Sequence, residues 1–351
     1  VEHWSPDPNW AGEETYAYLP HTNFEEFFVI GYNFANTLTL TSGSDKTRAL
    51  FSYTNTIARG IVENNKLIRN NIHLRFDGNL TSKFSFDCKL TYFNQNVDNR
   101  IANNSLGTLR SIYLQPSNIS LEQASDFEYF DNKGERYQNF WNPSSTVGRN
   151  IYWMLNRVIR EETNNRIIGL ASLRYHFTKG LSFMVRSSFD HLDNPFSYKE
   201  YNNTWVAGSD GELRLVSGSK TEMNHDFLLN YKNNIGEILS IDVSFGGNML
   251  YQENWWTLVE TDRLLKPNLF VITNTNHLTG SQGGSEKKVH SLYGFATIGL
   301  MNFLFLDITG RNDWSSTLPE ENWSYFYPSA GLSWIITNML KNNTSFLTFA
   351  Q

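Results

Sequence analysis

From Ile72 onward the chain alternates with a period of two, Ile72, Leu74, Phe76 and Leu80 on one parity and His73, Arg75, Asp77 and Asn79 on the other. After Thr81-Ser-Lys83 the alternation resumes, with Phe84, Phe86, Cys88, Leu90 and Tyr92 set against Ser85, Asp87, Lys89 and Thr91. A period of two belongs to strands whose faces meet different surroundings, and the polar triplet between them marks a hairpin. The unit recurs. Ile167, Gly169, Ala171, Leu173, Tyr175 and Phe177 pass through Thr178-Lys-Gly180 into Leu181, Phe183, Val185 and Phe189, opposite Arg174, His176, Arg186 and Asp190. Other turns are expected at Gly43-Ser-Asp45, Asn233–Glu237, Met301-Asn302 and near Asn338. The count comes to about a dozen strands, joined by tight turns at one end and long connections at the other.

The long connections run over about 98–164, 194–220 and 252–288, with strands extending into parts of them; residues 1–30 form a further loop, with one helical turn over Asn23–Phe28. Gly280, Gly283 and Gly284 are expected in a flexible loop. Short turns on one side and long loops on the other are the habit of a transmembrane barrel. Its polar face would carry Arg75, Asp77, Asp87, Lys89, Arg174, Arg186, Asp190, Asp307 and Arg311. Were these to face lipid, each cation near midplane would cost roughly 2–4 kcal/mol, which sets the face of every strand. The expected fold is all-β, an antiparallel transmembrane β-barrel over 31–351.

Composition supports that fold and narrows the chemistry. Only 18% of the 351 residues are charged, against roughly 25% in soluble domains. No apolar run approaches the ~18 residues of a membrane helix. A net charge of −6 gives no basic footprint, so nucleic acid is not an expected partner. Cys88 is the only cysteine, which excludes an internal disulfide and a multi-cysteine metal site. There is no His-Glu-x-x-His, Gly-x-Ser-x-Gly, Walker or dinucleotide motif, and Glu161-Glu162 and Glu320-Glu321 are neighbours whose carboxyls point apart. No enzyme activity, cofactor or metal is expected.

Near the end, Gly310-Arg-Asn-Asp-Trp314-Ser-Ser-Thr-Leu-Pro319 leads to Trp323-Ser-Tyr-Phe-Tyr327-Pro-Ser and Leu332-Ser-Trp334. With Ser42-Gly-Ser-Asp-Lys-Thr-Arg48, Phe51–Thr56, Asn65–Asn71 and Tyr152-Trp-Met-Leu-Asn156 in order, this resembles the SusC/RagA-type TonB-dependent outer-membrane transporters of Bacteroidetes. The resemblance runs from about Glu25 to Trp334. It implies import of glycans, oligosaccharides or oligopeptides across the outer membrane, with a SusD-like surface lipoprotein as lid and the TonB complex opening a plug. Neither the plug nor a TonB-contacting segment is recognisable in this sequence. Barrels of that class have about 22 strands, so the chain reads as part of one.

The long connections also hold aromatic residues beside Asn and Asp. Tyr129, Tyr137, Trp141, Trp153, Trp205, Trp255 and Trp256 are candidates for stacking on sugars or packing on peptide side chains, with a slight preference for glycans. The competing role is packing among the loops or in the interfacial belt. The polar-face charges would line a substrate path or, preferably, contact a plug. Three other readings remain open: a barrel scaffold without transport, a soluble β-rich carbohydrate-binding protein that buries the Ile72–Leu80 face under a second sheet, and a passive porin, which the motif match favours least.

Overall fold

The computed structural model describes residues 4–8, 19–101, 107–142, 148–204 and 211–339. After a short helix α1 (Asn23–Glu26), the chain runs through β1 (Tyr32–Gly43), β2 (Thr47–Arg59), β3 (Lys66–Asn79) and β4 (Phe84–Asp98). A long connection carries α2 (Thr108–Tyr113), α3 (Leu121–Ser125), β5 (Glu128–Phe130), β6 (Arg136–Gln138) and α4 (Ile151–Arg157). The wall then resumes with β7 (Val158–His176), β8 (Leu181–Asp193), β9 (Phe196–Glu200), β10 (Glu212–Ile235) and β11 (Leu239–Thr261). It ends in β12 (Leu278–Leu300), β13 (Leu304–Ser315), β14 (Ser324–Trp334) and a last turn α5 (Ile336–Met339).

All strands but β5 and β6 belong to one twelve-stranded sheet in the order β1-β2-β3-β4-β7-β8-β10-β11-β12-β13-β14. Every pair is antiparallel, so the wall is a simple meander. The short β9 lies between β7 and β10 as the upward continuation of β8. Pro195 causes the break, because it lacks an N–H for the ladder. Continuity survives through Asn194 N–H donating to Gly218 O at 2.9 Å and Thr163 N–H donating to Pro195 O at 3.0 Å.

The turns follow their residues. Gly236 has φ +60° between β10 and β11, and Met301 and Asn302 have φ +47° and +56° between β12 and β13. The left-handed region suits Gly and is tolerated by Asn.

Register sorts the wall residues onto two faces. Leu74 lies opposite Phe51 and Leu90, Phe245 opposite Leu229, and Leu306 opposite Ile298 and Leu332. All nine charged residues named from the sequence fall on the other face. The apolar face is bare, with Phe76 and Phe245 each 50% exposed and Leu332 71%. No second sheet covers it among the described residues. A sheet of this kind keeps such a face in lipid, as the wall of a transmembrane barrel.

The tightest hydrophobic core lies outside the wall, in the connections at its upper end. Phe27, Val62, Ile112, Ile151 and Leu155 pack together there, with Phe24, Phe28 and Leu121 against them. The segment before β1 is tied to the same unit, for His21 N–H donates to Ser117 O at 2.8 Å.

Strands run into the connections and leave 99–157, 201–211 and 262–277 between the wall strands. One expectation is corrected, that of a flexible glycine loop. Gly283 and Gly284 lie inside β12, directly opposite Trp256 and Trp255. A Cβ at Gly284 would stand 2.2 Å from the Trp255 ring and one at Gly283 2.9 Å from that of Trp256, so the glycines make room for cross-strand indoles. With 23 residues each, β11 and β12 exceed the ~9–11 a membrane strand needs, and their upper halves project beyond it.

Candidate functional site

The polar face is organised by ion pairs within strands and between neighbouring ones. Asp77 on β3 is held by Arg48 at 2.8 Å and Arg75 at 3.2 Å; Asp87 on β4 is held by Arg75 at 3.2 Å and Lys89 at 3.3 Å. Further round, Arg166 donates to Asp190 at 2.7 Å, Arg186 lies 2.9 Å from Asp226, and Arg311 lies 2.8 Å from Asp313. Arg311 also donates to Ser291 at 3.0 Å and rests over the Tyr293 ring. Asp307 accepts from Thr297, and Arg174 contacts the Met184 sulfur.

Higher on this face, Arg166, Asp190, Lys220, Glu222, Gln252 and Lys287 line a depression of about 540 Å³. Both signs of charge stand within it, together with amide and hydroxyl groups. Glu222 accepts from Gln252 at 2.7 Å.

Above the depression stands Tyr198 of β9. Its ring is flanked by Arg160 at 5.3 Å and Arg214 at 5.7 Å, and its hydroxyl donates to Glu200. Arg214 lies 2.7 Å from Glu212 and 2.9 Å from Glu260. Burial pushes the Glu212 carboxyl above its ordinary range, opposed by Arg214 and reinforced by Glu200 and Glu260. Burial and then the Glu200 carboxylate push the Tyr198 phenol far up, so it stays protonated. The signal in the sequence was the alternation Phe196, Tyr198, Glu200 against Ser197 and Lys199, obscured by Pro195.

The described parts of the connection between β4 and β7 fold into a cap. Asn150 caps α4, accepting from Tyr152 N–H at 2.8 Å, while its amide donates to Ala124 O at 2.9 Å and Asn139 O at 2.8 Å. Arg157 forks onto Glu128 with two bonds of 2.8 Å and covers the rings of Phe127 and Tyr201. Arg136 lies on the other contacts of Tyr201 and Phe130, at 5.6 and 5.3 Å. Such guanidinium–ring contacts clamp the cap to the 201–204 segment.

The aromatic candidates separate. Tyr129 and Tyr137 stack at 5.7 Å across the β5–β6 hairpin, and Trp141 leans on Phe140 at 4.0 Å. Trp153 is fully buried, donating to Thr204 Oγ1 at 2.9 Å, so its ring serves packing. Trp255 and Trp256 are neighbours on β11 and point to opposite faces, Trp256 to the polar one. Trp205 lies outside the described residues. No group of three or more His, Cys, Asp or Glu residues is placed to hold a metal ion among the described residues.

Among solved structures, the chain is similar to the RagAB peptide transporter, with a TM-score of 0.76 and 15% identity over 94% of this chain and 37% of that one. The RagAB importer in its "open-open" state matches with a TM-score of 0.75 and 17% identity over 93% and 36%. The outer-membrane transporter YddB of Escherichia coli follows at 0.51 and 11%, over 87% and 36%. No family model and no curated protein matches. The chain therefore spans little more than a third of the RagAB chains, and its fold is that of a segment of them.

Proposed function

We propose that this chain is part of the wall and external cap of a TonB-dependent outer-membrane importer whose cargo is oligopeptides. The observation that carries the reading is the antiparallel meander with a bare apolar face and an ion-paired polar face beneath a folded cap. Strands β1 and β14 each keep one edge unpaired among the described residues. An open edge is untenable in lipid, so further strands of the parent protein pair with them. The polar face then lines the lumen, where the ion pairs meet a plug.

Peptides fit the upper lumen better than neutral sugars do. The depression beside Lys220 and Glu222 offers both charges a zwitterionic oligomer carries, and Lys220 and Lys287 form no ion pair among the described residues. With Trp153 buried, Tyr129, Tyr137, Trp141 and Trp256 remain as side-chain contacts. A SusD-like lipoprotein would seat on the cap formed by the described parts of the β4–β7 connection, and the TonB complex would act through the parent's plug. The work is gating and differential binding, without covalent chemistry.

The test is titration of the purified parent protein with mixed oligopeptides and, separately, neutral oligosaccharides. Peptide binding weakened about tenfold by Lys220→Ala with Lys287→Ala is the expected result. Binding of oligosaccharides alone would overturn the peptide reading.

A further inference from the structure

The register brings together five asparagines that are far apart in sequence. Asn36 lies directly opposite Asn55, Asn55 opposite Asn70, Asn70 opposite Asn94 and Asn94 opposite Asn165, across β1, β2, β3, β4 and β7. The row is on the apolar face. Directly below it run Leu38, Tyr53, Ile72, Tyr92 and Ile167, and above it on the first three strands Phe34, Ile57 and Ile68.

The amides satisfy one another only in part. Asn55 and Tyr53 donate to Asn70 Oδ1 at 2.9 and 2.8 Å, and Asn94 donates to Asn165 Oδ1 at 2.7 Å. Among the described residues, the Asn70 and Asn165 amide N–H groups, Asn55 Oδ1 and both polar atoms of Asn36 make no hydrogen bond. Hydrocarbon offers such groups no partner. Four residues up the same strands, Arg59 and Lys66 stand directly opposite one another, and neither forms an ion pair among the described residues. They lie about 13 Å beyond the asparagines at 3.3 Å per residue, on the side of the long connections.

We infer that this strip of β1 to β7 is a seat for an anionic glycolipid of the outer leaflet. Arg59 and Lys66 take its phosphate, and the asparagines take the carbonyl and hydroxyl groups where its chains join the head. The chains lie over Leu38, Tyr53, Ile72 and Tyr92. Uncharged amides that both donate and accept suit such linkages, and the cations complement the charge above them. This inference rests on the outer-membrane placement proposed above.

The test begins with parent protein extracted from outer membranes, weighed intact by native mass spectrometry, then delipidated and titrated with purified lipopolysaccharide or phosphatidylethanolamine. Wild type retains lipopolysaccharide. Both Arg59→Ala with Lys66→Ala and Asn55→Leu with Asn70→Leu bind it at least tenfold more weakly, with no change for phosphatidylethanolamine. Should the asparagine variants fail to assemble, the Arg59→Ala, Lys66→Ala pair, beyond the apolar rows, carries the test. Equal affinity for the two lipids, unchanged retention in the variants, or Asn70→Cys cross-linking to another protein overturns the seat. Fractionation away from the outer membrane would instead refute the functional reading beneath it.

Discussion

Leu74→Arg should damage the parent barrel far more than Arg75→Leu, although the two positions are adjacent. Leu74 sits in the middle of the apolar face between Phe51 and Leu90 and is 40% exposed. An arginine there faces lipid, at a cost of roughly 2–4 kcal/mol near midplane. Arg75 points to the polar face, and its removal still leaves Asp77 with Arg48 at 2.8 Å and Asp87 with Lys89 at 3.3 Å. Partly exposed pairs of this kind contribute about 0–1 kcal/mol. The difference of about 1–4 kcal/mol corresponds to roughly a 5- to 700-fold change in the folded-to-unfolded ratio. Folding of the parent barrel from urea into lipid vesicles, read by gel mobility before and after heating and by tryptophan fluorescence, measures both. Equal losses, or a larger loss for Arg75→Leu, would refute the assignment of faces.

Other positions give separate tests. Trp153→Ala removes a fully buried ring and the bond to Thr204, and at about 3–5 kcal/mol should open the cap to limited proteolysis while the wall stays resistant. Gly284→Val would drive a side chain into the Trp255 ring, and at roughly 1–3 kcal/mol should loosen the projecting β11–β12 hairpin, read by hydrogen exchange. The folded state raises the Glu212 carboxyl chiefly by burial, so its charge costs stability at neutral pH and the cost is relieved as pH falls through the raised value. Glu212→Gln should therefore raise the melting temperature at pH 7 and leave it less changed near pH 4.

The wall was legible because its signal is local. Each hairpin carries its own alternation, and the costliness of Arg75, Arg174 or Arg186 in lipid fixed their parity before any strand was paired. The upper reaches were less legible. Gly283 and Gly284 interrupt the apolar pattern, and only the indoles of the neighbouring strand explain them. Pro195 broke the alternation that carries Tyr198, so the Arg160–Tyr198–Arg214 stack went unread. The cap is held by Asn139, Asn150 and Thr204, buried polar residues whose partners are set by tertiary contacts and leave no period in sequence. The asparagine row depends on register between strands, which no single strand encodes.

A membrane wall of β1–β4 and β7–β14, with one face in lipid and the other in water, makes a direct prediction. Nitroxide labels placed in turn from Phe86 to Leu90 in the parent protein, in native outer membranes, test it through collisions with oxygen and with a water-soluble nickel chelate. Phe86, Cys88 and Leu90 should favour oxygen, while Asp87 and Lys89 favour the chelate. Equal access at all five positions, or the opposite alternation, would contradict the fold's placement in the membrane.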